Sequence, residues 1–388
     1  RPENSGILRR RMKTSLRTLA LGAALVAAVA LGSTLRLGAM DRYLASRTLE
    51  DVYYSVMGPG IDQIKCGVTS VIDHHASPFA VRGSLAKIAE ASAELGLRSN
   101  LCYEVSDRDG EQSRVDGITE NIEFIKACAA KKDDMLKGMF GLHASMTISD
   151  KTLNESVEQM AGLDAGFHVH VAEGIEDLED SKAKYGLGVV ERWHKHGVLG
   201  PKSLAIHCIH ISEKEMDLLK ESDVAVAHNP ESNMGNAVGA TPVLGMLRRG
   251  IRLGLGTDAY THDMFESIKV SKILQSHRLA NPTVGFGEAL KLQYEGNPAI
   301  AAQHFQRPLG VLKEGAYADI ITLDYYPFTP FGADNWKGHL LFGGYGRMTN
   351  DVVINGKVIM RNREIKTVDE EKIFARTKER AATIWPNL

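Results

Sequence analysis

The sequence predicts an α/β protein: a (β/α)8 TIM-type barrel, incomplete at its first strand, with a small C-terminal β appendage. Three observations predict it. From Leu49 onward, short apolar or β-branched runs alternate with amphipathic stretches, the order expected of parallel strands with crossover helices. Most of the seven runs carry histidine or aspartate in or close to their last residues, and the C-terminal strand ends of such a barrel form its working face. After about Pro308 the pattern changes to short strands with a tight turn.

Residues 1–40 do not fit this pattern. Arg1, Arg9, Arg10, Arg11, Lys13 and Arg17 precede an uncharged run from Leu19 to Gly32. A basic stretch before a short apolar one reads as a signal peptide over residues 12–33, or equally as a buried Ala-rich helix. The barrel is expected over residues 41–307. Its strands are read at Gly67–Asp73, Leu97–Val105, Leu136–His143, Gly166–Val171, Ser203–Cys208, Val224–His228 and Arg252–Gly256. Helices are read between them at Gly83–Leu95, Thr119–Lys131, Thr152–Met160 and Gly188–His196. Residues 308–388 form the appendage. Gly315–Asp324 and Val352–Ile359 read as short antiparallel strands, Asn355-Gly356 as a two-residue hairpin turn, and Glu370–Ile384 as a closing helix.

Composition narrows the function classes. The chain has 388 residues, 44% hydrophobic and 24% charged, with a net charge of −2. That is ordinary globular composition, with no bulk charge to attract nucleic acid. No membrane association is expected unless residues 12–33 are a working signal. The four cysteines, Cys66, Cys102, Cys128 and Cys208, form no CxxC pair. They read as reduced thiols of a cytoplasmic protein, with export as the alternative if the signal is real.

The chemistry should lie among the 14 histidines. In His168-Val-His170, alternation puts both imidazoles on one strand face, where they suit zinc or iron. Glu173, just past the strand, can move a proton between a metal-bound water and a leaving nitrogen. Asp258 ends a glycine-rich strand whose glycines let backbone approach the site. Asp73, His74, His75, His143, His207, His210, His228 and Asn229 stand at other strand ends. By contrast, His194 and His196 end an amphipathic helix and read as a solvated pair; His262, His277, His304 and His339 read as surface or packing residues.

The order HxxE, strand-end His, His-Asn-Pro with Ser-Asn, and GTDA resembles the amidohydrolase superfamily. Within it the chain is similar to the chlorohydrolase/aminohydrolase branch, most of all the SsnA-type aminohydrolases. LEDVYYSVM, VIDHHASP, LCYEVSDRDG, GLHAS, HVHVAEG and HNPESNMGNAVG carry the likeness, from about residue 40 to the C-terminus. The resemblance implies a hydrolase of non-peptide C–N bonds, deaminase in type, with a metal-activated water attacking carbon. It implies one divalent ion, zinc with iron as the alternative, on His170, His207 and Asp258. Glu173, His207 and Asp258 would be catalytic. His74, His75, His143, His228, Asn229, Ser232 and Asn233 would line the pocket for a small nitrogen-containing substrate, in a chain able to form a homodimer. One departure stands out. The family carries a His-x-His pair at the end of its first barrel strand, and here no histidine precedes His74. A catalytically impaired protein with an incomplete metal site is therefore the alternative expectation.

Overall fold

Parallel strands buried on both faces need apolar residues on alternate sides, and this chain supplies them. The computed structural model describes residues 48–131 and 133–384; the signal-like segment lies outside them. Seven strand positions follow one another: β1 (Ser70–His75), β2 (Arg98–Val105), β3 and β4 (Leu136–Gly138, Phe140–Leu142), β5 (Phe167–Val171), β6 (Leu204–His207), β7 (Ala225–His228) and β8 (Leu253–Leu255). They pair in parallel in the order β1-β2-β4-β5-β6-β7-β8, with β3 also on β2. Among the described residues, β1 and β8 end the row, as expected of a barrel incomplete at its first strand.

Alternation sorts the strand residues into two cores. Ile72, Cys102, Met139, Leu204, Ile206, Ala225 and Ala227 pack together inside the curl. Val105, Leu142, Val169, Val171, Ala205, Val226, Leu253 and Leu255 face the helices, meeting Trp193, Met216, Leu219 and Ile268. The helices are α1 (Leu49–Lys65), α2 (Ser84–Leu95), α3 (Glu111–Lys131), α4 (Asp150–Met160), α5 (Ile175–Tyr185) and α6 (Val189–Lys195). They continue with α7 (Glu213–Glu221), α8 (Pro230–Gly235), α9 (Val243–Arg248), α10 (Met264–Arg278), α11 (Phe286–Lys291) and α12 (Asn297–Ala301).

Two details differ from the sequence expectation, and one helix adds to it. Leu136–His143 is two short strands, interrupted at Met139. Gly141 lies so close to β2 that a Cβ there would stand 2.3 Å from the Tyr103 carbonyl oxygen, so no larger residue fits this crossing. The helix expected at Thr119 begins at Glu111. Finally, Leu49–Lys65 is a helix despite Gly58-Pro59-Gly60 in its middle. Thr48 caps it in a reciprocal pair with Asp51, and a Cβ on Gly60 would meet Leu95 at 2.4 Å. The glycine is there for close helix packing, not as a breaker.

The C-terminal chain forms β9 (Ile320–Leu323), α13 (Trp336–Gly343), β10 (Thr349–Ile354), β11 (Lys357–Arg361), β12 (Glu364–Ile365) and α14 (Glu370–Ile384). The strands make an antiparallel sheet in the order β12-β11-β10-β9. Ile354 pairs with Lys357 across Asn355 and Gly356, both at positive φ (49° and 77°), as the two-residue hairpin turn requires. The sheet packs Val352, Ile354, Ile359 and Met360 on Met57, Ile61, Ile64 and Leu95 of α1 and α2. The fully buried Arg98 fastens it to the barrel: its guanidinium pairs with Asp319 at 3.1 Å and lies 3.9 Å from the Tyr317 ring centre.

Candidate active site

The inward positions of the strands converge on a ring of histidines. Val169 and Val171 point out, so His168 and His170 point in. Both contact His74, with ring centres 4.6 Å and 4.7 Å apart. His143 stands 5.4 Å from His170. On β2, alternation from Cys102 turns Glu104 inward, and its carboxylate lies 3.4 Å from His74 Nε2.

His207 reaches the site by another route. Ile206 faces inward, so continued alternation would point His207 out. Instead the strand ends in a tight three-residue turn: Cys208 N–H donates to the Ile206 carbonyl at 3.0 Å, and His207 and Cys208 both have positive φ. This rare conformation for side-chain-bearing residues re-aims the imidazole. The ring stacks on His170 at 5.7 Å. Its Nε2 comes to 3.5 Å from Glu173 and 3.8 Å from Asp258. Ala172, Asp258 and Ala259 also have positive φ. Strained backbone thus gathers where the three polar groups meet, a common mark of functional sites.

Hydrogen-bond accounting settles the imidazole tautomers. Thr241 Oγ1 donates its proton to the His207 carbonyl, so it accepts from His228 Nδ1 at 2.9 Å and from Asn233 Nδ2 at 3.3 Å. The Asn233 oxygen then faces His207 and accepts from Nδ1–H at 2.9 Å. Likewise Thr147 Oγ1 donates to the Ala144 carbonyl and accepts from His143 Nδ1 at 2.7 Å. Each ring carries its proton on Nδ1 and keeps a bare lone pair on Nε2.

The Nε2 of His207 is buried without a hydrogen-bond partner and faces two carboxylates. Such acceptors repel unless a cation or proton lies between them. Two atoms each about 2.1 Å from one tetrahedral zinc stand about 3.4 Å apart, close to the separations found here. The residues therefore fit a metal ion, and Glu173, His207 and Asp258 form one cluster of potential ligands. His170 does not fall in that cluster; its nitrogens group with His74 and Glu104, because the ring leans toward β1.

Around this core, Ser232 donates to Asp258 Oδ2 at 2.5 Å. Asn236 donates to Glu173 at 2.9 Å and accepts from Tyr260 at 3.1 Å. Asn229 is buried beside Gly256, where a Cβ would meet its side-chain oxygen at 2.3 Å. Burial lowers the pKa of both His143 and His228 to about 3. It works against the Glu173 carboxylate, but the group is held below its usual range, with Asn236 donating a hydrogen bond to it. Burial likewise opposes charge on Glu104, yet its carboxyl is held well below the usual range, with the Arg108 guanidinium 2.6 Å away.

Two expected residues are not brought to the centre. His75 lies on the opposite strand face from His74, near the Tyr103 ring, with Nε2 2.9 Å from Ser77. Strand alternation dictates this. His210 turns to the Val238 carbonyl at 2.8 Å. His194 stays exposed beside Ser222, whereas His196, expected to be solvated, is largely covered between Asn154 and Asp150. Three contributors were not singled out from sequence. Glu104 could have been found by counting alternate residues from Cys102, but Thr241 and Asn236 sit in irregular segments without a period.

Comparisons with known proteins point to one family. Residues 31–359 match the profile of the amidohydrolase family. The chain belongs to that family. It is therefore a metal-dependent hydrolase of carbon–nitrogen bonds other than peptide bonds, related to deaminases. It is 30% identical over 340 residues to a 5-methylthioadenosine/S-adenosylhomocysteine deaminase of Desulforudis audaxviator, covering 86% of this chain and 76% of the relative. A 5'-deoxyadenosine deaminase of Methanosarcina acetivorans is 31% identical over 338 residues, with the same coverage of both chains. Among solved structures, this amidohydrolase is similar in fold to a zinc-bound adenosine deaminase from Xanthomonas campestris. The TM-score is 0.81 at 20% identity, covering 93% of this chain and 83% of the other. A zinc-complexed atrazine chlorohydrolase from Arthrobacter aurescens is also similar, with a TM-score of 0.73 at 21% identity, covering 86% and 77%.

Proposed function

We propose that this amidohydrolase deaminates an adenine nucleoside altered at its 5' position, such as methylthioadenosine or 5'-deoxyadenosine, releasing ammonia. The observation that carries the chemistry is the unpaired His207 Nε2 facing Glu173 and Asp258. The substrate class is supported by the printed activities of the relatives. The residues suited to hold a zinc ion are His207 and Asp258, with His170 stacked beside them. When bound, zinc lowers the pKa of a coordinated water and so supplies a nucleophile at neutral pH.

This chain's own groups handle the protons. Asp258, oriented by the Ser232 hydroxyl, is placed to take a proton from the attacking water. Glu173, held by Asn236, takes up a second proton from the same water and passes it to the departing amino nitrogen. A carbon–oxygen bond forms, the carbon–nitrogen bond breaks, and the protonated nitrogen leaves as ammonia. Burial keeps His143 and His228 neutral, so they line the pocket without adding charge, alongside Asn229, Ser232 and Asn233. Free thiols at all four cysteines support a reducing, cytoplasmic location.

The test is ammonia release from 5'-methylthioadenosine, S-adenosylhomocysteine and 5'-deoxyadenosine by the zinc-loaded chain. Turnover of at least one supports the proposal. Turnover of none, with hydrolysis of a chlorotriazine instead, sinks the nucleoside assignment.

A further inference from the structure

A second polar cluster lies beside the one just described, on β1, β2 and β5. His74, Glu104 and His170 offer ligand atoms all within 4.8 Å of one another. The proton accounting at His74 parallels that at His207. Cys102 Sγ donates its proton to the Asp73 carbonyl at 3.3 Å. The sulfur, 3.5 Å from His74 Nδ1, is left to accept from an Nδ1–H. His74 Nε2 is then a bare lone pair, buried and without a hydrogen-bond partner, facing Glu104 Oε2 at 3.4 Å. Two acceptors do not settle at that distance with nothing between them. It is, however, about the separation of two ligands on one tetrahedral zinc.

The carboxylate is pre-set for such a role. Arg108 donates to Glu104 Oε1 at 2.6 Å, which fixes the group and leaves Oε2 toward His74. His170 completes the set, and its Nδ1 also has no hydrogen-bond partner. Positioning of ligands by outer partners is typical of metal sites. Cys102 here acts as such a partner: its thiol is committed on both sides and orients His74.

We infer that His74, Glu104 and His170 form a binding site for a divalent transition-metal ion, using ligands from the second, third and fifth strand positions of the barrel and not from the first. Two imidazoles and a carboxylate suit zinc or ferrous iron. The inference rests on the proposed function only through His170, which stands between the two clusters.

Zinc titration of the metal-stripped full chain against a chromogenic chelator tests it. Glu104→Gln and His74→Gln are each expected to weaken one zinc-binding step by at least roughly tenfold, while Asp258→Asn keeps that step. Curves for both Gln variants that superimpose on the unmodified protein would overturn the inference. If Asp258→Asn alone removes zinc, this site fails and the proposed catalytic one stands. If only the Gln variants lose zinc, the reverse holds. Should a variant not fold, anomalous diffraction from the zinc-soaked unmodified protein decides. A peak between His74 Nε2 and Glu104 Oε2 is expected, and its absence overturns the site.

Discussion

Asn233 decides which nitrogen of His207 carries the proton, and that choice decides what the imidazole can do. With Nδ1–H bound to the amide oxygen, Nε2 presents a lone pair to Glu173 and Asp258. Asp258→Asn removes the proton acceptor and a charged ligand, so turnover should fall by at least roughly a hundredfold, while the circular dichroism spectrum stays that of the parent. Retained turnover would show that the reacting water lies elsewhere. Glu231 gives a pH-dependent prediction. Burial raises its pKa from 4.5 to about 7, so the folded chain binds its proton more tightly than the unfolded chain does. Stability from this group is present at low pH and is lost as pH rises from about 4.5 to about 7. Glu231→Gln should therefore melt higher than the parent at pH 8, with the advantage shrinking toward pH 5. An equal offset at both values would contradict the assignment.

At the level of elements, the site depends on how strands end. β5 delivers His168 and His170 by simple alternation, whereas β6 needs a strained turn to bring His207 round. Close strand contacts set a further limit. A Cβ at Gly141 would meet the Tyr103 carbonyl oxygen at 2.3 Å, and backbone cannot move aside as a flexible side chain can. Gly141→Ala should destabilise the fold by about 1–3 kcal/mol, measured as a lowered midpoint in urea. An unchanged midpoint would mean that β4 can shift away from β2 at no cost.

Over the whole molecule, the small antiparallel sheet and the barrel share one buried ion pair, Arg98 with Asp319, braced by the Tyr317 ring. Removing one partner strands the other charge in the interior. Asp319→Asn should cost about 3–5 kcal/mol, read from thermal or denaturant unfolding. A loss below the resolution of the melt would show that water reaches Arg98. Metal removal acts at the same scale, because an ion that binds only the folded chain stabilises it by mass action. Chelation should lower both the melting temperature and hydrolysis, and added zinc should restore both. Loss of activity without a shift in melting would argue against an ion held by elements as far apart as β6 and the end of β8.

Sequence alone determined the architecture and the inner face. Period-two runs such as FHVHV can be buried only one way round, and the Asn355-Gly356 turn admits one hairpin geometry, so β5 and the β10–β11 pair were legible residue by residue. The HxxE, His-Asn-Pro and GTDA stretches also named most of the polar groups that converge. Tertiary structure decided the rest. His75 left the site because it is one residue out of register with His74, while His207 entered it only because a turn broke that register. Glu104 became a neighbour of His74 through pairing of β1 with β2. Thr241 and Asn236 took their places from irregular segments, where no repeat relates position in the chain to direction in space. The tautomers depend on all of these, since a proton's place on an imidazole is fixed by its partners and not by the residue that carries it.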